Sequence, residues 1–541
     1  MQHDRPLTLE LILERMRRIY GDSEVIGVRG GERTRASYAE VADRADRLSR
    51  ALEGLGVQTG DRVATFAWNS QEHLEAYLAV PCMGAVLHTL NVRLFADQLV
   101  YTVNHAEDTV VLVDDTLVSV LEELAPRFET VRHYVVFGDG DAGSLPGALR
   151  YEELIAAQEP GYDRPAIDDR QAAGLCYTSG TTGNPKGVLY SHRSNILHAL
   201  GQCMAESIGL RADDRVMPVV PMFHANAWGI PYGSGLTGAD LVMPGSDLSA
   251  AALARLIAEE RVTVSAAVPT IWMDLLRHAD EHAPDLSSLR LVICGGSAVP
   301  LSLMQAWEER GLRIVQAWGM TETSPLGSTA RPPEHAEGEE HWRYRATAGR
   351  PAALVQARIV RDGQEVPWDG ESTGELEVRG PWVARAYYRD EGSGEKFDDG
   401  WLRTGDIAAI DERGFIIISD RVKDVIKSGG EWISSVELEN EIIAHPAVLE
   451  AAVIAMPDER WGERPLACVV TQEGAELTLD DLRDHLAPRV AKWWLPDELL
   501  LIDEVPKTSV GKFDKKVLRR QLEEGRLERR EPAVQRAADH S

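Results

Sequence analysis

Short runs of Val, Ile and Leu, such as residues 110–113 and 291–294, recur between segments of helical periodicity along most of the chain. Runs this brief, bounded by turn residues, read as strands buried on both faces. Their alternation with helical patterns predicts α/β architecture. The 541 residues exceed what one hydrophobic core fills, so more than one domain is expected. Residues 8–58 carry helical patterns, and alternating blocks follow over 61–170 and 188–330. Residues 347–420 differ, with strand signals such as Gly374-Glu-Leu-Glu-Val separated by Gly, Pro and Asp turns, which predicts a small β-rich subdomain. A further short α/β unit spans about 424–521. The last residues, 522–541, are charged and poor in apolar side chains, and a disordered tail is expected there.

Bulk properties exclude several functions. A formal net charge of −29 argues against general binding to nucleic acid or anionic membrane. Anionic substrates must then be captured by local positive sites. The five cysteines are scattered and form no Cys-x-x-Cys pair, so neither a zinc site nor a disulfide framework is indicated. No apolar stretch reaches the length of a membrane span, and residues 1–4 open no signal-peptide pattern. A cytoplasmic protein without an integral membrane segment is expected.

Residues 177–187 read Tyr-Thr-Ser-Gly-Thr-Thr-Gly-Asn-Pro-Lys-Gly. Glycine lets backbone amides approach an anion closely, and successive amides form a concave anion site. Ser179, Thr181 and Thr182 add hydroxyl donors, and Lys186 adds a point charge suited to phosphate. The apolar run 172–177 and the resumption at 187–190 predict a hairpin whose loop wraps a phosphate. The loop is not a Walker A motif, because Lys186 precedes Gly187 where that motif needs Gly-Lys followed by Ser or Thr. No Gly-x-Gly-x-x-Gly follows a strand either, so a dinucleotide fold has no support.

Four more clusters carry chemistry. Trp318-Gly-Met-Thr-Glu-Thr323 places Glu322 after a strand-like run, and a carboxylate beside a phosphate loop suits Mg²⁺. Trp401-Leu-Arg-Thr-Gly-Asp406 offers an acceptor for sugar hydroxyls. Residues 420–432 mix cations, glycines and an aromatic, and Pro506-Lys-Thr-Ser-Val-Gly-Lys512 is a loop ending in lysine. In this order and spacing, the clusters resemble the adenylate-forming superfamily of acyl-CoA synthetases, adenylation domains and luciferases, over about residues 10–520. Lys427-Ser-Gly-Gly-Glu-Trp-Ile-Ser-Ser435 and Pro221-Met-Phe-His-Ala-Asn-Ala-Trp228 are most similar to medium- and long-chain fatty acyl-CoA synthetases and to methylmercaptopropionate-CoA ligases.

That resemblance implies a large domain over 1–420, holding two α/β subdomains and the β-rich one, and a mobile small α+β domain over 424–521. The hinge would be 421–423, centred on Lys423, where many relatives carry Asp. It also implies two half-reactions: a carboxylate attacks the α-phosphorus of ATP, and coenzyme A then displaces AMP from the acyl-adenylate. Lys512 would bridge carboxylate and phosphate as the catalytic lysine, with Glu322 and His224 also catalytic. Thr178 and Glu322 would hold Mg²⁺, and Ser179, Gly180, Thr181, Thr182 and Gly183 with Lys186 would wrap the β and γ phosphates. Asp406 and Arg421 would hold the ribose. Gln316, Ala317, Trp318 and Trp432 would sit near the adenine, with Thr321 also binding ATP or AMP and Lys427 close to the nucleotide. His224 and Trp228 would mark the acyl site, Trp228 as a gate, with Gly296 and Ser297 in a small-residue wall. Gly429 and Gly430 would line the pantetheine path. The 6% aromatic content favours an aliphatic pocket. A homodimer built through the large domain is also implied. The competing readings are a short-chain sulfur-containing acid ligase, a carrier-protein-loading enzyme, a luciferase-type oxygenase and a non-catalytic acyl- or nucleotide-binding relative.

Overall fold

The computed structural model describes residues 4–178, 184–421, 423–428, 431–458, 460–508 and 513–527, with Glu431 and Trp432 described by their backbone alone. Four sheets organise it. The first has seven strands: those from Leu149–Arg150 inward to Ala172–Tyr177 are parallel, and Gly187–Ser191 closes the edge antiparallel to Ala172–Tyr177. Tyr177 pairs with Gly187, so residues 178–186 are the loop of the hairpin that the sequence predicts.

The second sheet has nine strands, with a parallel core that includes Arg215–Pro218, Val264–Ala267, Leu291–Gly295 and Ile314–Gly319. Its far edge is a surprise. Strand Glu24–Arg29 pairs parallel to Asp240–Met243 and turns back through Gly30 and Gly31 into Glu32–Ser37. Both turn glycines have positive φ (57° and 84°), the backbone that a tight two-residue hairpin needs. The helical reading of residues 8–58 therefore holds only for Glu10–Arg18 and Tyr38–Gly54. The second of these starts on a capping box between Ser37 and Glu40.

One apolar core binds the two sheets. Val63, Leu87 and Leu112 of the first sheet share a cluster with Val216, Leu241 and Ile293 of the second. Leu48, Leu78, Ile196 and Ile230 fill the space between them from four helices. Burying each such side chain contributes about 1.5–3 kcal/mol, so separating the sheets is costly. The third sheet is antiparallel and includes Gln356–Arg361, Gly374–Arg379, Trp401–Ile410 and Ile416–Arg421. The fourth pairs Val448–Asp458 with Gly462–Thr471 and carries helices Ser435–Ile443 and Lys515–Glu523. It has apolar clusters of its own, and Leu522 and Leu527 pack against one of them. The molecule is thus a mixed α/β protein with a large N-terminal portion and a smaller C-terminal one.

Candidate active site

Ends of strands from the first three sheets meet at a cavity of about 570 Å³. From the first sheet come Thr178 and Lys186, at the two feet of the hairpin loop. The Thr178 N–H donates to the Lys186 carbonyl at 2.9 Å, and the Lys186 N–H donates to Thr178 Oγ1 at 3.2 Å. These bonds fix the loop entrance in the cavity wall. Lys186 Nζ reaches Asp390 at 3.0 Å and lies 4.8 Å from the Tyr387 ring centroid, and it holds the Asp390 carboxyl below its usual pKa.

From the second sheet, strand Ile314–Gly319 brings Ala317 and Trp318 to the wall, and the turn after it brings Thr321 and Glu322. Glu322 is buried, and its Oε1 accepts from the Tyr387 hydroxyl at 2.6 Å. Burial, then the Glu322 charge, pushes the Tyr387 phenol pKa up, so Tyr387 remains a donor. Gln316 has another task. Its Oε1 accepts from the Val299 N–H at 2.7 Å and its Nε2 donates to the Thr347 carbonyl at 2.6 Å, so the side chain braces the strand behind the cavity.

The third sheet supplies the opposite wall. Asp406 and Arg421 pair across adjacent strands, and Arg421 Nε lies 3.4 Å from Asp406 Oδ1. Asp406 Oδ2 accepts from the Trp318 indole at 2.9 Å, joining this wall to the second sheet. Arg421 and Lys423 line the cavity. So does Lys396, half-buried, where burial lowers the ammonium pKa while Glu322, Glu375 and Asp406 raise it. These three cations, with Lys186 from the first sheet, give this strongly acidic protein the local positive site that an anion requires.

At the other end lie His224, Trp228, Gly295 and Gly296. Residues 225–229 all have positive φ, from 43° to 74°, a left-handed run that costs about 1–2 kcal/mol per non-glycine residue. Buried contacts hold it: Asn226 Oδ1 accepts from the Tyr77 hydroxyl at 3.3 Å and from the Cys176 thiol at 3.2 Å. The run places the Trp228 indole against Gly295, where an added Cβ would stand 3.5 Å from the ring and 2.6 Å from the Ala317 carbonyl. Ser297 is exposed and stands off the cavity wall. Lys427 is also exposed and off the wall, its N–H donating to Glu463 at 2.7 Å in the fourth sheet. Ser179, Gly180, Thr181, Thr182, Gly183, Gly429, Gly430, Lys512 and the Trp432 side chain lie outside the described residues.

Sequence reasoning missed Tyr387 and Lys396. The available signal was the segment Tyr387-Tyr-Arg-Asp, an aromatic and charged stretch between two strands of the β-rich region.

Glu322 and Thr178 both line the cavity and present hard oxygen donors, a carboxylate and a hydroxyl, and this donor set fits a Mg²⁺ that takes its remaining ligands from water and phosphate. The cavity as a whole suits an elongated anion: hydroxyls and cations at one end, a small-residue and indole surface at the other.

Comparison with known proteins agrees. Residues 14–388 match the AMP-binding enzyme family, and residues 437–512 match the AMP-binding enzyme C-terminal domain. The chain is 44% identical over 522 residues to a medium-chain-fatty-acid–CoA ligase of Ectopseudomonas oleovorans, covering 95% of each. It is 44% identical over 524 residues to a 3-methylmercaptopropionyl-CoA ligase of Ruegeria lacuscaerulensis, covering 95% of this chain and 97% of that protein. Among solved structures, an anthranilate CoA ligase in complex with anthranoyl-AMP superposes with a TM-score of 0.88 at 27% identity, covering 96% of this chain and 99% of that one.

Proposed function

The chain belongs to the AMP-binding enzyme family as an acid–thiol ligase forming acyl-CoA, and on that premise we propose that it activates an aliphatic carboxylic acid through an acyl-adenylate. The observation that carries this reading is a single cavity. It joins Lys186, Glu322 and Arg421 at one end to His224 and Trp228 at the other, with Asp406 bonded to Arg421 and Trp318.

A carboxylate is already a nucleophile at neutral pH, so the first step needs no proton relay. What it needs is alignment of two anions and neutralisation of charge on the phosphates. Lys186 with residues 179–183 holds the β and γ phosphates in this reading, and Arg421 with Asp406 holds the ribose. Ala317 and Trp318 face the adenine. Mg²⁺, held by Glu322 and Thr178, supplies charge neutralisation at the phosphates when bound. Tyr387 keeps the Glu322 carboxylate oriented, and Trp228 divides the nucleotide end from the acyl end. Lys512 bridges the carboxylate and α-phosphate, and the small domain then turns about 421–423 to admit coenzyme A along Gly429 and Gly430. A homodimer and a cytoplasmic location complete the reading.

Two assays test it. Pyrophosphate should be released from ATP with an acid, and AMP should follow only when coenzyme A is added. Lys512→Ala should nearly abolish the first while thioester formation from supplied acyl-adenylate survives; equal loss of both would refute the role of Lys512. The equal identity to a fatty-acid ligase and to a 3-methylmercaptopropionyl-CoA ligase supports a second reading, a short sulfur-containing acid. A panel of acids from two to eighteen carbons, with sulfur-containing members, separates the two.

A further inference from the structure

One cation of the cavity has no task in the chemistry above. Lys396 follows the short helical turn Glu391–Glu395, is half-buried, and lines the cavity with Thr404 and Gly405. Its carbonyl accepts from the Arg403 N–H at 2.9 Å, and the next residue, Phe397, pairs with Leu402. Lys396 is thereby anchored to strand Trp401–Ile410 of the third sheet. A Cβ added at Gly405 would stand 3.4 Å from Lys396 Nζ, so the ammonium lies over bare backbone one residue before Asp406. Three carboxylates act on it through space, those of Glu322, Glu375 and Asp406, yet among the described residues it forms a hydrogen bond or ion pair with none. Each of them is engaged elsewhere: Glu375 by Arg403 at 2.7 Å, Asp406 by Trp318 at 2.9 Å, and Glu322 by Tyr387 at 2.6 Å. A partly desolvated ammonium with donors to spare, set in a cavity wall, calls for an anion.

Resting on the acyl-CoA ligase reading, we propose that Lys396 binds the α-phosphate of the nucleotide and stabilises AMP as it leaves during thioester formation. In that reading Glu322 belongs to the metal and the β and γ phosphates, and Asp406 to the ribose. The group that joins those two regions is the α-phosphate, and Lys396 feels both carboxylates. The contact matters most in the second half-reaction. There the coenzyme A sulfur bonds to the acyl carbon, and the bond from that carbon to the AMP phosphate oxygen breaks. The electron pair stays on that oxygen, and the thiol proton passes to water. Negative charge thus grows on the phosphate after Lys512 has turned away with the small domain. Lys396, fixed to the third sheet, stays behind to neutralise it.

The test measures AMP and adenosine binding by calorimetry without Mg²⁺, and AMP release from supplied octanoyl-adenylate with coenzyme A, on the wild type, Lys396→Met and Lys396→Arg. Methionine keeps the stem and removes the charge, so AMP affinity should fall about tenfold or more while adenosine affinity holds, a size usual for one charged hydrogen bond. AMP release from octanoyl-adenylate should fall by a similar factor, in contrast to Lys512→Ala, which spares it. Arginine restores the charge and should recover part of both losses. Equal AMP affinity in the wild type and Lys396→Met would overturn the proposal. So would matching losses for AMP and adenosine, which would make Lys396 a support for Asp406 and not a phosphate ligand. Weakened AMP binding with an unchanged rate of AMP release would overturn the leaving-group role. If the methionine variant does not fold, Lys396→Gln carries the same comparison. A wild type that binds neither AMP nor ATP would instead refute the ligase reading, a result read before any variant is made.

Discussion

The Tyr387–Glu322 bond places a phenol donor on a buried carboxylate across 65 residues of sequence. A hydrogen bond to a charged group is worth about 1.5–3 kcal/mol, so Tyr387→Phe should lower kcat/KM by about tenfold or more. The loss should be partly recovered at high Mg²⁺, because a misaligned carboxylate weakens the donor set. A Mg²⁺ titration that superimposes on the wild type would remove Tyr387 from this role. Asp406 makes a different case: it accepts from Trp318 and faces Arg421. Asp406→Asn keeps the shape and deletes the charge, so the KM for ATP should rise about tenfold while the KM for the acid holds. If the acid KM moves instead, Asp406 does not belong to the nucleotide end. Sequence motifs brought Glu322, Asp406, His224 and Trp228 into view because each sits in a short stretch of distinctive composition. Tyr387 joins the cavity through packing of its loop against Cys176, Val188 and Tyr190 of the first sheet, a long-range contact at which the Tyr387-Tyr-Arg-Asp stretch only hints. Gln316 shows the converse: its motif is right, but its amide is taken up by Val299 and Thr347.

Helix His192–Cys203 follows the hairpin strand Gly187–Ser191, and two buried histidines dock it. His192 Nδ1 accepts from the Leu9 N–H at 3.2 Å, and His198 Nε2 accepts from the Leu326 N–H at 3.1 Å. An imidazole that accepts from a backbone N–H must be neutral at that nitrogen. Burial agrees, lowering the pKa of His192 to about 4 and of His198 to about 3. Both folded values lie below the usual 6.5, so the unfolded chain binds these protons first. Their contribution to stability is complete above pH 6.5 and is lost as pH falls toward about 4 and about 3. Between pH 6.5 and 5 most carboxylates are still charged, so a fall in melting temperature there reports histidine. His198→Gln, which keeps an acceptor that cannot titrate, should flatten that slope. A slope equal to wild type would show that other groups carry it. At this scale, helix periodicity and the Val/Ile/Leu strands were plain in the sequence. Strand Glu32–Ser37 was not, because four of its six residues face solvent and its apolar alternation is missing.

The large and small portions meet around the strand that ends at Arg421. Asp420 Oδ2 accepts from the Ser435 N–H and Oγ–H, each at 2.6 Å, and Lys515 Nζ reaches Ser435 Oγ and Glu439 at 2.7 Å. This buried polar network sits three residues before Lys423, the proposed pivot. Rotation about Lys423 must therefore break the Asp420–Ser435 bonds, and the arrangement described here is held by them. The two half-reactions make different demands on that pivot. Adenylation needs the small domain in one position, whereas thioester formation needs it to turn. Proline at 423 fixes φ and restricts the residue before it, so Lys423→Pro should leave acid-dependent pyrophosphate release near wild type. CoA-dependent AMP release should fall about tenfold or more, which is ~1.4 kcal/mol or more of added barrier. Lys423→Ala removes an ammonium from the cavity lining but leaves the backbone free, so any loss should fall on both steps alike and spare the second far more than proline does. If alanine and proline impair the second step equally, the side chain matters and the pivot does not. If proline spares the second step, the turning point lies elsewhere, and a pivot before Asp420 would keep the Ser435 bonds intact throughout the cycle.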